Sequence, residues 1–410
     1  MKYKKPSPQD LRKANQSEIL RKVYFEGPIS RLEVSQLIGI SPATVTNIVG
    51  DLLSNEILVE TGVKHAESGR PSTLLEINRD FGYFIGVEVG ETFIEVELFD
   101  ILFNPLRKVH HPLTDGIISP QIIVEIIDQA IMEVLQLGGV NKADVIGAGI
   151  GFPGVVDPVK GVSIFTPNWG WHDVSITNLI KERLSIPMFL DNGAKAMAIA
   201  EMLFGAGKGV NNLAVLLVGT GVGSGLIADR KLFRGVSNSA GEFGHTTMNI
   251  DGPLCRCGSH GCLEVFIGAK GIINRFCAYS SDQDLSLDSQ TESIQLILDQ
   301  FNQDNPAAKQ TIQETLHYLA AGIANLINVY NPEMLLLGGW SGLLLGQQFL
   351  EEINQIVKQY ALPLPLKNTS IKLCQLGEGA VAMGAAALVL EHFFETAGKN
   401  MRATANASIR

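Results

Sequence analysis

The stretch GEFGHTTMNIDGPLCRCGSHGCLE, residues 241–264, limits what this chain can become more tightly than any other. His245 is followed after nine residues by Cys255, after one more by Cys257 and after four more by Cys262. Three thiolates and one imidazole meet the tetrahedral demand of Zn²⁺, and Gly258 and Gly261 permit the tight turns that gather them. A site ligated wholly by protein leaves no open position, so such a metal braces a loop and does not activate water. Reduced buried thiols and a redox pair are the competing readings. His260 is a rival ligand, although its place between Ser259 and Gly261 reads as an exposed turn. Of five cysteines, three lie within eight residues, which argues for a metal centre over a disulfide framework. Glu242 and Glu264 bracket the loop; as carboxylates they either accept hydrogen bonds from sugar hydroxyls or remain plain surface charge.

At 410 residues the chain exceeds one ordinary core, and two or three domains are expected. Its apolar runs, such as Met334 to Leu337, are too short to cross a bilayer, and no secretory pattern opens it, so a cytoplasmic location is expected. The net charge of -10 would disfavour nucleic acid if it were spread evenly. Residues 1–80, however, hold eleven Lys and Arg against ten Asp and Glu, so the acidity lies in the rest of the chain.

That first segment has its own pattern. In NQSEILRKVYFEG, Asn15 and Glu18 have capping-box spacing, Ile19, Leu20, Val23 and Tyr24 share a face, and Gly27 is the stop. SRLEVSQLIG repeats the formula with Ser30 and Glu33. SPATVTNIVGDLLSNE starts with Ser41 as cap and Pro42 at the first helical position, with Val45, Ile48, Val49, Leu52 and Leu53 at helical spacing. Three short helices followed by two strands around a polar tip, residues 57–77, predict a winged helix-turn-helix. A small protein-interaction module is the alternative. The third helix exposes Ala43, Thr44, Thr46, Asn47 and Gly50, short enough to enter a major groove but without Arg or Lys. Phosphate neutralisation would fall to Lys2, Lys4, Lys5, Arg12 and Lys13 in the arm and to Lys64 and Arg70 in the wing, where Arg70 could enter a minor groove.

From about residue 81, strands alternate with longer helices, as in an α/β protein. YFIGVEVGETFIEVELFD predicts two strands turning at Gly90, and NLAVLLVGTGVGSGLIADRKLF predicts another pair around Gly219–Gly225, an echo that points to two similar lobes. The glycines of VGTGVGSG either hold backbone N–H groups towards a phosphate or simply make the turn.

The winged helix, the GFPG loop, PNWGW, the join at 190–201, VGTGVGSG, GEFGH and the His–Cys spacing together resemble the ROK family of repressors, open reading frames and sugar kinases, over about residues 10–395. The resemblance implies an N-terminal winged helix-turn-helix at 1–80 and an α/β actin-like, ribonuclease H-like, sugar-kinase-type two-lobed domain at 81–397 containing a zinc-binding loop at 245–262. Residues 398–410 read as a disordered tail. It also places sugar contacts on Asn168, Asn192, Glu242, His245 and Glu264, and structural Zn²⁺ on His245, Cys255, Cys257 and Cys262. DNA contacts are expected from Thr44, Thr46, Asn47, Lys64 and Arg70.

The departures bear on catalysis. Family kinases read Glu-Asn-Asp-Ala-Asn-Ala at the helix start, which puts the catalytic Asp at Gly193 and leaves Asp191 as a helix cap or cleft-wall group. A general base contributes roughly 100- to 10,000-fold, and hydrogen cannot replace it. The first phosphate loop, Asp-x-Gly-Gly-Thr in kinases, here reads Glu88, Val89, Gly90, Glu91, Thr92, and Glu91 brings a carboxylate towards phosphate. Trp340 stands where the family keeps a small residue near adenine. The resemblance with these departures implies a homodimeric or homotetrameric, sugar- or sugar-phosphate-responsive repressor of carbohydrate genes that binds operator DNA. The alternatives are an ATP-dependent hexose kinase with an accessory N-terminal domain, and a sugar sensor that docks on another protein.

Overall fold

A computed structural model describes residues 7–64, 71–113, 116–280 and 289–398. Helix α1 (Pro8–Glu26) starts earlier than the Asn15–Glu18 spacing predicts. Ser7 Oγ accepts from Asp10 N at 3.2 Å and the Asp10 carboxylate accepts from Ser7 N at 2.9 Å, a box with Pro8 at the first position that outcompetes the later one. Its buried face is the expected one, with Ile19, Leu20 and Val23. Strand β1 (Ile29–Ser30) leads into α2 (Arg31–Ile38), where the Ser30–Glu33 box forms as expected. Helix α3 (Pro42–Ser54) is capped by Ser41 and buries Val45, Ile48, Val49 and Leu52. Strands β2 (Leu58–Lys64) and β3 (Ser72–Ile77) form an antiparallel pair that β1 extends on the β3 side.

The first lobe comprises β4 (Tyr83–Val89), β5 (Phe93–Asp100), β6 (Pro105–Pro112), α4 (Pro120–Gly138) and β7 (Val145–Phe152). A small sheet of β8 (Val155–Asp157), β9 (Val162–Thr166) and β10 (Trp171–Val174) follows, then α5 (Ile176–Lys181), β11 (Met188–Asn192) and α6 (Gly193–Leu203). The second lobe opens with β12 (Leu213–Val218), β13 (Val222–Ala228) and β14 (Lys231–Leu232), and continues after the cysteine loop with α7 (Glu264–Ile267), α8 (Ala269–Tyr279), α9 (Gln290–Asn302) and α10 (Pro306–Tyr330). It closes with β15 (Met334–Gly338), α11 (Trp340–Tyr360), α12 (Pro363–Asn368) and β16 (Ser370–Leu373), before α13 (Ala380–Thr396) returns to the first lobe.

The echo between the two hairpins is a true repeat of topology. The sheets run β6-β5-β4-β7-β11 and β14-β13-β12-β15-β16. In each, the first strand lies at the centre, with its antiparallel hairpin partner on one side and a parallel strand on the other. Strand β7 is buried along its whole length, as a strand covered on both faces must be. Gly149 on it is required by close approach, since a Cβ there would sit 1.7 Å from Ala385 O of α13. Helix α6 touches strands of both sheets, so its first turn lies at the cleft between the lobes.

Residue 80 marks a change of architecture but no break in packing. Ile19, Leu20, Val45 and Leu75 belong to the same buried cluster as Phe81, Phe84, Phe393 and Phe394. Arg21 of α1 makes two hydrogen bonds to the Glu391 carboxylate of α13, at 2.7 and 2.6 Å, with its guanidinium carbon 4.6 Å from the Phe394 ring centre. Tyr24 donates to Ile101 O at 2.8 Å. Both partners of the Arg21–Glu391 pair are about a third exposed, so replacing Glu391 with Ala should cost only about 1 kcal/mol in urea unfolding. Faster amide exchange confined to α1 and its neighbours is the accompanying expectation, and unchanged exchange there would count against the pair as the joint.

Candidate functional site

The join between β11 and α6 assigns the cap differently from the sequence expectation. Asn192, not Asp191, is the N-cap: its Oδ1 accepts from Ala194 N at 2.9 Å and Lys195 N at 3.3 Å, while its Nδ2 donates to Gly154 O at 2.9 Å. An amide offers an acceptor to the helix and a donor to the neighbouring loop, which a carboxylate cannot. Asp191 is fully buried and accepts from Asn192 N at 2.8 Å, from Asn238 Nδ2 at 3.1 Å and from the Arg234 guanidinium. Arg234 also reaches Asn238 Oδ1 at 2.9 Å.

Lys195, in the first turn of α6, is almost completely buried. Its ammonium donates to Asn238 O at 2.6 Å and lies 3.9 Å from Glu242 Oε1. Burial draws the Lys195 pKa down, against the pull of Glu242 and Asp191. Burial likewise pushes the Glu242 carboxyl up, against Lys195 and His245. Lys195, Arg234 and Asn238 were missed from sequence. A lysine in the first turn of a helix whose only other charged residue is Glu201 was the available signal, but its partners lie more than forty positions away.

Gly193 opens α6 with space around it. A Cβ there would meet only Val381 Cγ1, at 3.5 Å, so crowding does not dictate the missing side chain. Asn168 follows β9 and is partly buried; its Nδ2 is enclosed and has no hydrogen-bond partner among the described residues. Trp340 packs on the second glycine turn, where a Cβ on Gly219 would lie 3.1 Å from the indole Nε1.

In the cysteine loop, His245, Cys255, Cys257 and Cys262 bring one ligand atom each within 4.8 Å of one another. His245 Nδ1 is 3.6 Å from Cys255 Sγ, and Cys257 Sγ is 3.7 Å from Cys262 Sγ. A tetrahedral zinc with bonds of about 2.3 Å to sulfur and 2.0–2.1 Å to nitrogen has edges of about 3.6–3.8 Å, so the donor set fits such an ion. All five cysteines are free thiols. Burial pushes the Cys255 thiol up to about 12, and Cys262 upwards as well, so thiolates here need a cation beside them. Gly261, at φ 61°, must lack a side chain because a Cβ would sit 1.6 Å from Asn249 O. His260 is exposed and turns to Gly252 O at 3.2 Å, outside the cluster.

Glu91 is not the free carboxylate that its sequence position implied. Arg256, between two of the cysteines, donates to Glu91 Oε1 at 2.5 Å and to both oxygens of Glu264, at 2.8 and 3.1 Å. The pairing spans 165 positions, so spacing alone carries no trace of it. Glu264 also accepts from Val222 N at 2.9 Å, and Arg256 holds its carboxyl down against the effect of burial.

On the N-terminal helices, Thr46 and Asn47 are exposed, and the Thr46 hydroxyl donates to Pro42 O at 2.8 Å. Thr44 is partly buried and shares a hydrogen with Ser41 Oγ at 2.8 Å. Lys64 was expected to offer its charge to phosphate but pairs with Glu33 at 2.6 Å, because the end of β2 lies beside the start of α2. Arg70, Lys2, Lys4 and Lys5 lie outside the described residues.

Two five-stranded sheets of matching topology on either side of a polar cleft define an actin-type protein of the sugar-kinase-like class. The chain belongs to the ROK family, whose profile matches residues 84–392. It is 30% identical to the xylose repressor of Bacillus spizizenii, across 94% of this chain and 97% of the repressor. It is 31% identical to a glucokinase of Halalkalibacterium halodurans, across 75% of this chain and 94% of the enzyme. Its fold is similar to the crystal structure of a ROK family transcriptional regulator homologous to the Escherichia coli MLC protein. That match has a TM-score of 0.80 and 24% identity, and covers 97% of this chain and all of the other. No helix among the described residues is long and apolar enough to cross a membrane.

The first glycine turn adds a pH dependence. Burial first, and then Glu95, push the Glu88 carboxyl from its ordinary 4.5 up to about 8. The unfolded chain releases this proton above about 4.5 while the folded chain keeps it to about 8, so stability falls as pH rises across that window. Glu88→Gln should therefore lose less thermal midpoint between pH 5 and pH 8 than the parent, and equal losses would contradict the assignment.

Proposed function

We propose that the protein is a cytoplasmic, sugar-responsive transcription regulator, a repressor of carbohydrate-utilisation genes that binds operator DNA through a winged helix-turn-helix at residues 1–80. One observation carries the reading: the similarity to a xylose repressor runs through almost the whole of both chains, whereas the glucokinase similarity covers 75% of this one. The three helices and the β2–β3 hairpin lie ahead of residue 84, where the match to the family profile begins. Asn47 and Thr46 are the groove-facing side chains on α3, and a two-fold pair of such modules, in a homodimer or homotetramer, matches operator half-sites. Lys64 serves phosphate only if Glu33 releases it.

The effector is a sugar or sugar phosphate held by Asn168, Asn192, Glu242, His245 and Glu264. The orphaned Nδ2 of Asn168 supports this, since a sugar hydroxyl would supply its acceptor. Asn192 contributes mainly as the cap that fixes the cleft wall, with one amide hydrogen left over. Zn²⁺ on His245, Cys255, Cys257 and Cys262 braces the loop without catalysing. With Nδ1 of His245 turned to the cluster, Nε2 remains for a hydroxyl. Phosphoryl transfer is disfavoured because Gly193 supplies no base, while Arg256, Glu91 and Trp340 crowd the glycine turns.

Asn47→Ala should weaken binding to promoter fragments selected from the protein's own genome by about tenfold, with no change in thermal midpoint. Undiminished affinity would remove α3 from the interface. An ATP-coupled assay over a hexose panel should show no turnover, and rates comparable to a competent kinase would reverse the assignment. Elemental analysis should find one zinc per chain, lost in Cys262→Ser together with a large part of the thermal stability.

A further inference from the structure

We propose that Arg256 is a clasp between the lobes that couples the effector pocket to their relative position; the coupling rests on the sugar-pocket reading above. One guanidinium joins two distant parts of the molecule. Its Nη1 holds Glu91 in the β4–β5 turn of the first lobe at 2.5 Å. Its Nε and Nη2 hold Glu264 at the start of α7 in the second lobe, at 2.8 and 3.1 Å. The side chains of Glu91 and Glu264 are 10% and 8% exposed and that of Arg256 is 29% exposed, so the carboxylate ends of the bridge are shielded while the guanidinium keeps an edge in solvent.

The arginine is anchored at its base, because Cys255 and Cys257 on either side of it both belong to the four-residue ligand cluster. It also lies over the second glycine turn: a Cβ on Gly221 would sit 2.5 Å from its Nη2 and 3.5 Å from Glu91 Oε1. The two glycine turns are thus tied together by a side chain of the protein itself. Without the guanidinium, two enclosed carboxylates would face the same gap with nothing to balance them.

Glu264 is where occupancy enters. Its carboxylate already holds three nitrogen donors, Val222 N and two from Arg256, with Cys255 Sγ a further 3.9 Å contact. A sugar hydroxyl added to this carboxylate competes with Arg256, so effector binding loosens the grip on Glu264 and, through the same guanidinium, on Glu91. The latched arrangement therefore binds effector less well than the released one, the unequal binding that a switch requires.

The test uses the full-length protein and Glu91→Gln, a change outside the metal loop, beside Arg256→Gln and the double variant. Zinc content per chain verifies that the loop is intact in each. Without added sugar, both single variants should show a larger radius of gyration by small-angle X-ray scattering and faster amide exchange at residues 90–93, and the double variant should add nothing further. A thermal-shift panel of D-xylose, D-glucose, N-acetylglucosamine and the 6-phosphates of the last two identifies a stabilising sugar. Glu91→Gln should bind it about fivefold or more tightly than the parent. Glu91→Gln indistinguishable from the parent in scattering and exchange overturns the clasp. Release of the lobes with unchanged sugar affinity overturns the coupling. If no sugar stabilises the parent while Glu91→Gln still opens, the effector reading and the coupling fall together and the clasp alone stands.

Discussion

Three sulfurs and an imidazole nitrogen drawn within 4.8 Å of one another determine what the rest of the cleft can do. The loop that carries them is rich in turns and poor in regular structure, with only two isolated bridges, Thr247 to Cys262 and Leu254 to His260. Backbone hydrogen bonds such as Met248 N to Gly261 O at 2.7 Å, Cys255 N to Ser259 O at 2.7 Å and Gly261 N to Pro253 O at 2.8 Å shape its turns, and a metal held by the four side chains would fasten them together. From it follow the direction of His245, the anchorage of Arg256 and the starting point of α7, where Glu264 stands. The cluster thereby places three side chains at the cleft: its own His245, Arg256 between two of its cysteines, and Glu264 just after the last.

Around that loop, charge is arranged as bridges and not as a bare acidic cleft. Asp191 is met by Arg234, Glu242 by Lys195, and Glu91 with Glu264 by Arg256. Each bridge joins a residue of the first lobe or of α6 to one of the second lobe or its loops. Buried ions of this kind contribute little net stability against an apolar replacement, but losing one partner is costly. They favour one relation between the lobes over others, a property suited to a protein that must hold two states apart by a few kcal/mol. A kinase cleft needs room for phosphates; here the corresponding turns face an arginine and an indole.

The N-terminal module is bound into this arrangement through α13. That helix lies on β4 and β7 through glycine-permitted backbone contact, packs on α6, and receives Arg21 and Tyr24 of α1 at its far end. A change at the start of α6 thus has a short, continuous path of packed side chains to α1. Because the aromatic cluster around Phe393 and Phe394 belongs to both modules, motion of one relative to the other requires repacking and not merely bending of a linker.

Much of the architecture was legible because local rules agree with it. The Ser30–Glu33 box, Ser41 before Pro42, the hairpins around Gly90 and Gly219, and the His–Cys spacing are short-range signals that tertiary context did not override. Short range also explains an error, since Asn15 yielded to the stronger Ser7–Asp10 box a few residues upstream. What the sequence determined by itself was the kind of elements, their repeat and the identity of the ligand cluster, because these depend on spacings of a few residues. Only the tertiary structure decided that Asn192 reaches Gly154, that Lys64 meets Glu33, and that Arg256 reaches Glu91 across 165 positions. Charges interact through space, and nothing in the order of residues states which distant partners folding will bring within 3 Å.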